Sequence, residues 1–196
     1  MKNYIAKRFQ NISGGLSLDT EALSRYSDVI DMSIGDTDFI TDSRIIDAAF
    51  SDARLGYTKY GDPKGDPELI DAVIKAYKED FSIDIPRENL FVTASSCMGM
   101  GLTMMALLDP GDSMLVESPT FLGALQTFKL YQANLVPVDT DEDGVIPELL
   151  EEKIVKHNPK LIYLIPTFQN PTGRTLTLER RKAVAEIIAR HPGVVL

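Results

Sequence analysis

The sequence predicts an α/β fold: three layers, with a largely parallel sheet flanked by helices. Two observations carry that prediction. From residue 90 onward, apolar runs of strand length alternate with segments of helical periodicity, a pattern that implies crossover units. The apolar run Leu161 to Pro166 then opens directly into the polar turn Gln169-Asn170-Pro171-Thr172-Gly173, at a strand's carboxyl end, where open α/β sheets bind ligands.

Taken in order, residues 1 to about 30 are polar, with a Ser13-Gly14-Gly15 break, and read as an amino-terminal arm. Residues 31–196 read as one partial large domain. Val29 to Ile34 alternates as a short extended piece should and ends in the turn signal Gly35-Asp36-Thr37-Asp38. Ser43 to about Arg54 is helical, with Ile45, Ile46, Ala49 and Phe50 on one stripe. A Tyr/Gly/Pro-rich loop, Gly56 to Pro67, precedes a second helix from Glu68 to Phe81. Strand signals follow at Leu90–Thr93, Ser113–Glu117, Asn134–Val138, Lys160–Ile165 and Val194–Leu196. Helix signals fall between them at Ser96–Leu108, Thr120–Tyr131, Ile146–Lys156 and Thr177–Arg190. The last strand signal is unfinished at Leu196, so the reading is of an α/β domain cut within its sheet. Such a cut leaves an unpaired edge and predicts self-association.

The totals narrow the function. At 196 residues one domain is the favoured count, and 44% hydrophobic with 25% charged content is that of a soluble globular protein. A net charge of -9 argues against nucleic acid as a partner and for a cytoplasmic location. One cysteine cannot form an internal disulfide. The start of the chain shows no signal-peptide pattern, and its longest weakly polar stretch, Met98 to Leu108, is too short to cross a bilayer.

Several segments carry chemistry. In Phe91-Val-Thr-Ala-Ser95-Ser96-Cys97 a strand signal runs into an apolar helix whose first N–H groups have no intrahelical partner, and two hydroxyls stand beside them, a geometry suited to phosphate. On its own, Ser95 or Ser96 reads first as an ordinary N-cap, and it is the polar mouth on an apolar helix that turns the reading toward a ligand. The helix is apolar nearly all round and is expected to be buried, with Cys97 a small buried residue rather than a nucleophile. Gly99-Met100-Gly101 falls inside that helix and does not make a dinucleotide fingerprint. Phe121, past a strand end, is placed where a ring can lie flat on a planar ligand, but in isolation it reads as ordinary core. Asp139-Thr-Asp141-Glu-Asp143-Gly144 begins like a calcium loop, but Leu150 stands where the closing Glu belongs, so it reads as a solvated turn and no metal is assigned. In the Asn-Pro-Thr-Gly turn, Pro171 fixes φ and biases Asn170 toward an extended backbone, while Gly173 permits a sharp redirection.

The order and spacing of Tyr60-Gly-Asp-Pro-Lys-Gly65, Val92-Thr-Ala-Ser95-Ser96-Cys97, Asp109-Pro-Gly-Asp112, Pro119-Thr120-Phe121 and Gln169-Asn170-Pro171-Thr172-Gly173 resemble the fold type I (class I/II) pyridoxal-phosphate-dependent aminotransferases. The resemblance spans roughly residues 30 to 196 and implies the truncated large domain of such an enzyme, with pyridoxal 5'-phosphate as cofactor. It implies that Ser95, Ser96 and Cys97 hold the cofactor phosphate, where the family often has Gly-Ser-Gln. Phe121 then matches the aromatic stacked on the pyridine ring, and Asn170 the residue that hydrogen-bonds the ring's phenolic oxygen. Tyr60, with Tyr57 a rival, matches a tyrosine that reaches the neighbouring subunit's cofactor, which implies a homodimer. Gly35 matches a glycine near the substrate carboxylate.

The implied reaction moves an amino group between an amino acid and a 2-oxo acid. Two alternatives are a β-elimination lyase of the same fold and a non-catalytic ligand-binding module. In the family, the Schiff-base lysine, the aspartate on the pyridine nitrogen and the arginine on the substrate carboxylate all come later than residue 196. No catalytic residue is therefore assigned here, and the chain alone is expected not to transaminate.

Overall fold

The computed structural model describes residues 4–10, 25–28, 30 and 35–196. In chain order the elements are α1 (Lys7–Gln10), α2 (Ser43–Leu55), α3 (Pro67–Phe81), a 3-10 turn (Arg87–Asn89), α4 (Ser96–Leu107), β1 (Ser113–Ser118), α5 (Leu122–Leu130), β2 (Asn134–Asp141), β3 (Gly144–Val145), α6 (Pro147–His157), β4 (Leu161–Tyr163) and α7 (Leu178–Arg190). They fall into two compact units, Leu16–Thr93 and Met1–Gly15 with Ala94–Leu196. Of the extended piece expected at 29–34, only Ile30 is described; the rest lies outside the described residues.

The unit ending at Thr93 is built on α2 and α3, whose starts are set by aspartates. Asp42 accepts from the Arg44 N–H at 2.9 Å, and Asp66 accepts from Glu68 and Leu69 at 2.9 and 3.3 Å, with Pro67 in the first turn. Each such cap is worth about 1 kcal/mol. Gly56, at φ +100°, ends α2, as a left-handed cap requires. The strand expected at Leu90–Thr93 does not form. Leu90 is extended, but among the described residues no strand of this unit pairs with the segment, and the Val92 N–H goes to the Lys64 carbonyl at 2.8 Å. A strand needs a neighbour, and local apolar character does not supply one.

The other unit holds the sheet, in the order β3-β2-β1-β4. β1 pairs in parallel with β2, from Ser113–Asn134 to Ser118–Asp139, and with β4, from Met114–Leu161 to Val116–Tyr163. β3 is antiparallel to β2 across a tight turn, so the segment expected to be only a solvated turn also contributes a short strand. Residues 194–196 give one parallel bridge, Leu161–Val195, instead of a strand.

β1 is buried from Met114 to Glu117, as expected of a strand covered on both faces. Its odd and even side chains feed two cores. Leu115 joins Val136, Val138, Leu150, Ile154, Ile162, Val184 and Ile187 under α6 and α7. Met114 and Val116 join Met104, Ala124, Phe128 and Leu161 under α4 and α5. This gives three layers: two helices, sheet, two helices.

α4 departs from expectation. Gly101 and Met104 are buried, yet Met98 and Met105 are 49% and 66% exposed, and Cys97 is exposed as well. The helix is apolar on every side, but its own unit covers one face only. Apolarity states a demand for burial and does not name the surface that meets it.

Candidate functional site

Parallel β1 and β4 end on the same side, and the segments that follow them form the candidate site. After β1 comes Ser118-Pro119-Thr120-Phe121, with a cis bond before Pro119, leading into α5. After β4 comes the turn through Asn170-Pro171, also cis, to Gly173 at φ +71°. α4 ends beside the start of β1, and its Met104 packs with Met114 while Met100 packs nearer its own start. Its first turn, Ser95–Cys97, brings Cys97 within electrostatic reach of Tyr163 at the carboxyl end of β4.

At that helix start, Ser95 Oγ accepts from the Met98 N–H at 3.2 Å, so Ser95 is the N-cap. Ser96 and Cys97 occupy the first two helical positions and are exposed; their N–H groups have no intrahelical acceptor and carry the positive end of the helix dipole. Phe121 is half-buried at the start of α5. A side chain at Gly123 would put its Cβ 2.7 Å from the Phe121 ring edge, so the glycine lets that ring lie on its own helix. Asn170 is exposed. The donor set thus suits a phosphorylated planar group: amides and hydroxyls for an anion, a ring for a face, and a carboxamide for a ring oxygen.

Two residues to which the sequence reading gave no role lie beneath these segments. Glu117 is 3% exposed and accepts from the Ile165 N–H at 3.0 Å. Gln169, 5% exposed, lies 3.4 Å from the same carboxylate through Nε2 and donates to the Pro119 carbonyl at 2.8 Å. Its Oε1 accepts from the Thr172 N–H at 3.0 Å and the Thr172 hydroxyl at 2.7 Å. Burial raises the Glu117 carboxyl above its ordinary value, only partly offset by the Ile165 N–H and Gln169. Burial likewise pushes up the Tyr163 phenol at the end of β4, helped by electrostatic interaction with Glu117 and Cys97. The Thr120 hydroxyl, between Pro119 and Phe121, is buried with no hydrogen-bond partner among the described residues. A signal for Glu117 was available: it ends an otherwise apolar run, Met114-Leu-Val-Glu117, at a position the strand buries.

Tyr60 and Gly35 belong to the other compact unit. Tyr60 is fully exposed and precedes a turn in which Asp62 accepts from the Lys64 N–H at 2.8 Å and Gly65 adopts φ +124°. Gly35 has open space where a Cβ would stand. The Asp139–Gly144 segment is the end of β2, the turn at 142–143 and the start of β3, held by the Asp141 contacts to the Asp143 N–H at 2.9 Å and to Arg180 at 2.7 Å.

The sequence profile of the family described as aminotransferase class I and II matches residues 27–196. The chain belongs to that family. It is 35% identical over 170 residues to the aspartate aminotransferase of Pyrococcus horikoshii, covering 85% of this chain and 43% of that protein. It is 34% identical over 143 residues to aromatic-amino-acid aminotransferase 1 of Thermococcus litoralis, covering 70% and 34%. Among solved structures, the kynurenine aminotransferase of Pyrococcus horikoshii, solved in complex with PMP, superposes with a TM-score of 0.84 at 28% identity. That alignment covers 98% of this chain and 50% of that one. The chain thus spans about half the length of the solved relative and less of the curated ones. The α/β architecture with a mostly parallel sheet is that of the fold type I aminotransferases.

Proposed function

We propose that this chain is the amino-terminal, cofactor-binding part of a pyridoxal-phosphate-dependent aminotransferase that moves an amino group between an amino acid and a 2-oxo acid. The observation that carries the reading is that the segments bearing Phe121 and Asn170 leave the same ends of parallel β1 and β4 and are joined through Gln169, with Cys97 of the α4 start acting electrostatically on Tyr163 at the end of β4. The functional division is an arm at 1–30 and a cofactor-binding portion at 31–196.

In this reading the amides and hydroxyls around Ser95, Ser96 and Cys97 hold the phosphate; each charge-assisted bond contributes about 1.5–3 kcal/mol. The Phe121 ring covers one face of the pyridine and keeps water from it. The Asn170 amide donates to the phenolic oxygen and fixes the ring's rotation. Gly35 leaves room beside the substrate carboxylate, and Tyr60 reaches the cofactor of a second copy in a homodimer. When bound, pyridoxal phosphate supplies the electron sink that stabilises charge at the substrate carbon. No lysine of this chain stands in a motif that matches the family's covalent one, so the 196-residue chain alone is expected not to transaminate. An amino-acid-metabolic role in the cytoplasm belongs to the same proposal.

Titration with pyridoxamine phosphate, which forms no Schiff base with lysine, tests the site. Saturable binding that competes with inorganic phosphate and is lost in Ser96→Asp is expected. Binding that ignores both Ser96→Asp and Asn170→Leu would overturn the reading. Activity is assayed on the longest polypeptide that carries this sequence. Release of ammonia in place of amino transfer would assign the lyase chemistry instead.

A further inference from the structure

The ladder between β1 and β4 ends at the Val116–Tyr163 pair. Beyond it, the segments carrying Phe121 and Asn170 are joined through side chains. Glu117 turns the chain out of β4 by taking the Ile165 N–H at 3.0 Å. Gln169 then spans the gap, from the Pro119 carbonyl, two residues before Phe121, to the Thr172 N–H and hydroxyl, two residues after Asn170. The Gln169 backbone closes its own turn, donating to the Arg174 carbonyl at 2.7 Å and accepting from the Gly173 N–H at 2.6 Å.

A carboxylate and a carboxamide this deeply buried are costly to desolvate, and apolar side chains of similar size would fill the same volume without that cost. What a polar pair adds is direction: its bonds have preferred lengths and angles, whereas apolar packing tolerates sliding. We propose that Glu117 and Gln169 are positioning residues that fix the two strand-end turns relative to each other, and so set how a flat ring is gripped between Phe121 and Asn170. The inference rests on the cofactor reading above for the identity of the ring. It does not rest on that reading for the coupling of the turns.

The test compares Gln169→Leu, which removes the bridge, with Thr172→Val, which at an exposed residue removes the hydroxyl's bond to Gln169 and the one it accepts from the Arg174 N–H, and Thr172→Ser, which can restore both. Affinity for pyridoxamine phosphate is read from its ring fluorescence. Affinity for inorganic phosphate is read from the Ser96 and Cys97 amide resonances. Gln169→Leu should weaken the ring-bearing ligand about tenfold or more and Thr172→Val about threefold, with Thr172→Ser near the parent. Inorganic phosphate, which needs no ring clamp, should change by less than about twofold.

Equal weakening of both ligands, or an unchanged ring affinity in a folded Gln169→Leu, would overturn the proposal. If Gln169→Leu does not fold, the Thr172 pair decides in the same way. If the parent chain does not bind pyridoxamine phosphate, the cofactor reading fails by itself. Hydrogen exchange then decides the coupling: faster exchange at the Ile165 and Thr172 amides in Gln169→Leu or Thr172→Val supports it, and unchanged protection removes it.

Discussion

Glu117→Gln should change the pH dependence of stability in a direction fixed by burial. The carboxyl lies in the β1 core, and desolvation raises its folded-state pKa above the ordinary glutamate value. Between those two values the folded state binds more protons than the unfolded one. The group's contribution is therefore fully present below the unfolded pKa and is lost as pH rises through the folded pKa. A glutamine at this position does not titrate. The stability of the variant relative to the parent must then rise with pH across that window, with a slope of at most about 1.4 kcal/mol per pH unit, the limit for one proton.

At the acid end both side chains are neutral and of similar shape, and the glutamine oxygen can still take the Ile165 N–H, so the difference there should be within about 1 kcal/mol. The carboxylates of Asp112, Asp141 and Glu151 are held low by their cationic partners and act in the opposite sense, but they are common to both proteins and cancel in the difference. The assay is urea unfolding from about pH 4 to about pH 8, followed at β1 amides by NMR so that this unit alone is read. A flat difference curve, or one that falls with pH, would refute the argument that burial dominates at Glu117.

Three further outcomes are expected. Phe128→Ala empties a fully buried site and removes the edge-to-face contact with Tyr163 at 5.1 Å, so urea unfolding should show a loss of about 3–5 kcal/mol. Ser95→Ala removes the cap on Met98 and should cost about 1 kcal/mol in the same assay, while Ser95→Gly should cost only a few tenths. Gly144→Ala forces a side chain onto φ +99°, with its Cβ 2.5 Å from the buried Leu176 Cδ1; a loss of about 1–3 kcal/mol by thermal unfolding is expected, and no loss would mean that the β2–β3 turn can relax.

What the sequence disclosed follows from the range of the forces involved. The bounds of α2, α3 and α7 are readable because Asp42, Asp66 and Thr177 cap them locally, each bonded within three residues. The Asn170 turn is readable because Pro171 fixes its own φ and Gly173 tolerates the positive φ the turn needs. Long-range facts are not legible in this way. Residues 90–93 carry strand character with no strand beside them among the described residues of their unit, and β3 exists only because the turn after Asp141 folds it back on β2.

The α4 helix marks the same limit from the other side. Its composition demands cover on every face, yet which faces are met depends on segments far away in sequence. Glu117 and Gln169 are the sharpest case. They lie 52 positions apart, and nothing near either one reveals that they meet under the turns carrying Phe121 and Asn170. Residues that contact a ligand are constrained by that ligand's chemistry and leave local motifs. Residues that aim those contacts are constrained only by where the backbone has already gone. A positioning pair of this kind therefore has to be found in coordinates, and its proof lies in a ligand-specific loss that destabilisation alone does not produce.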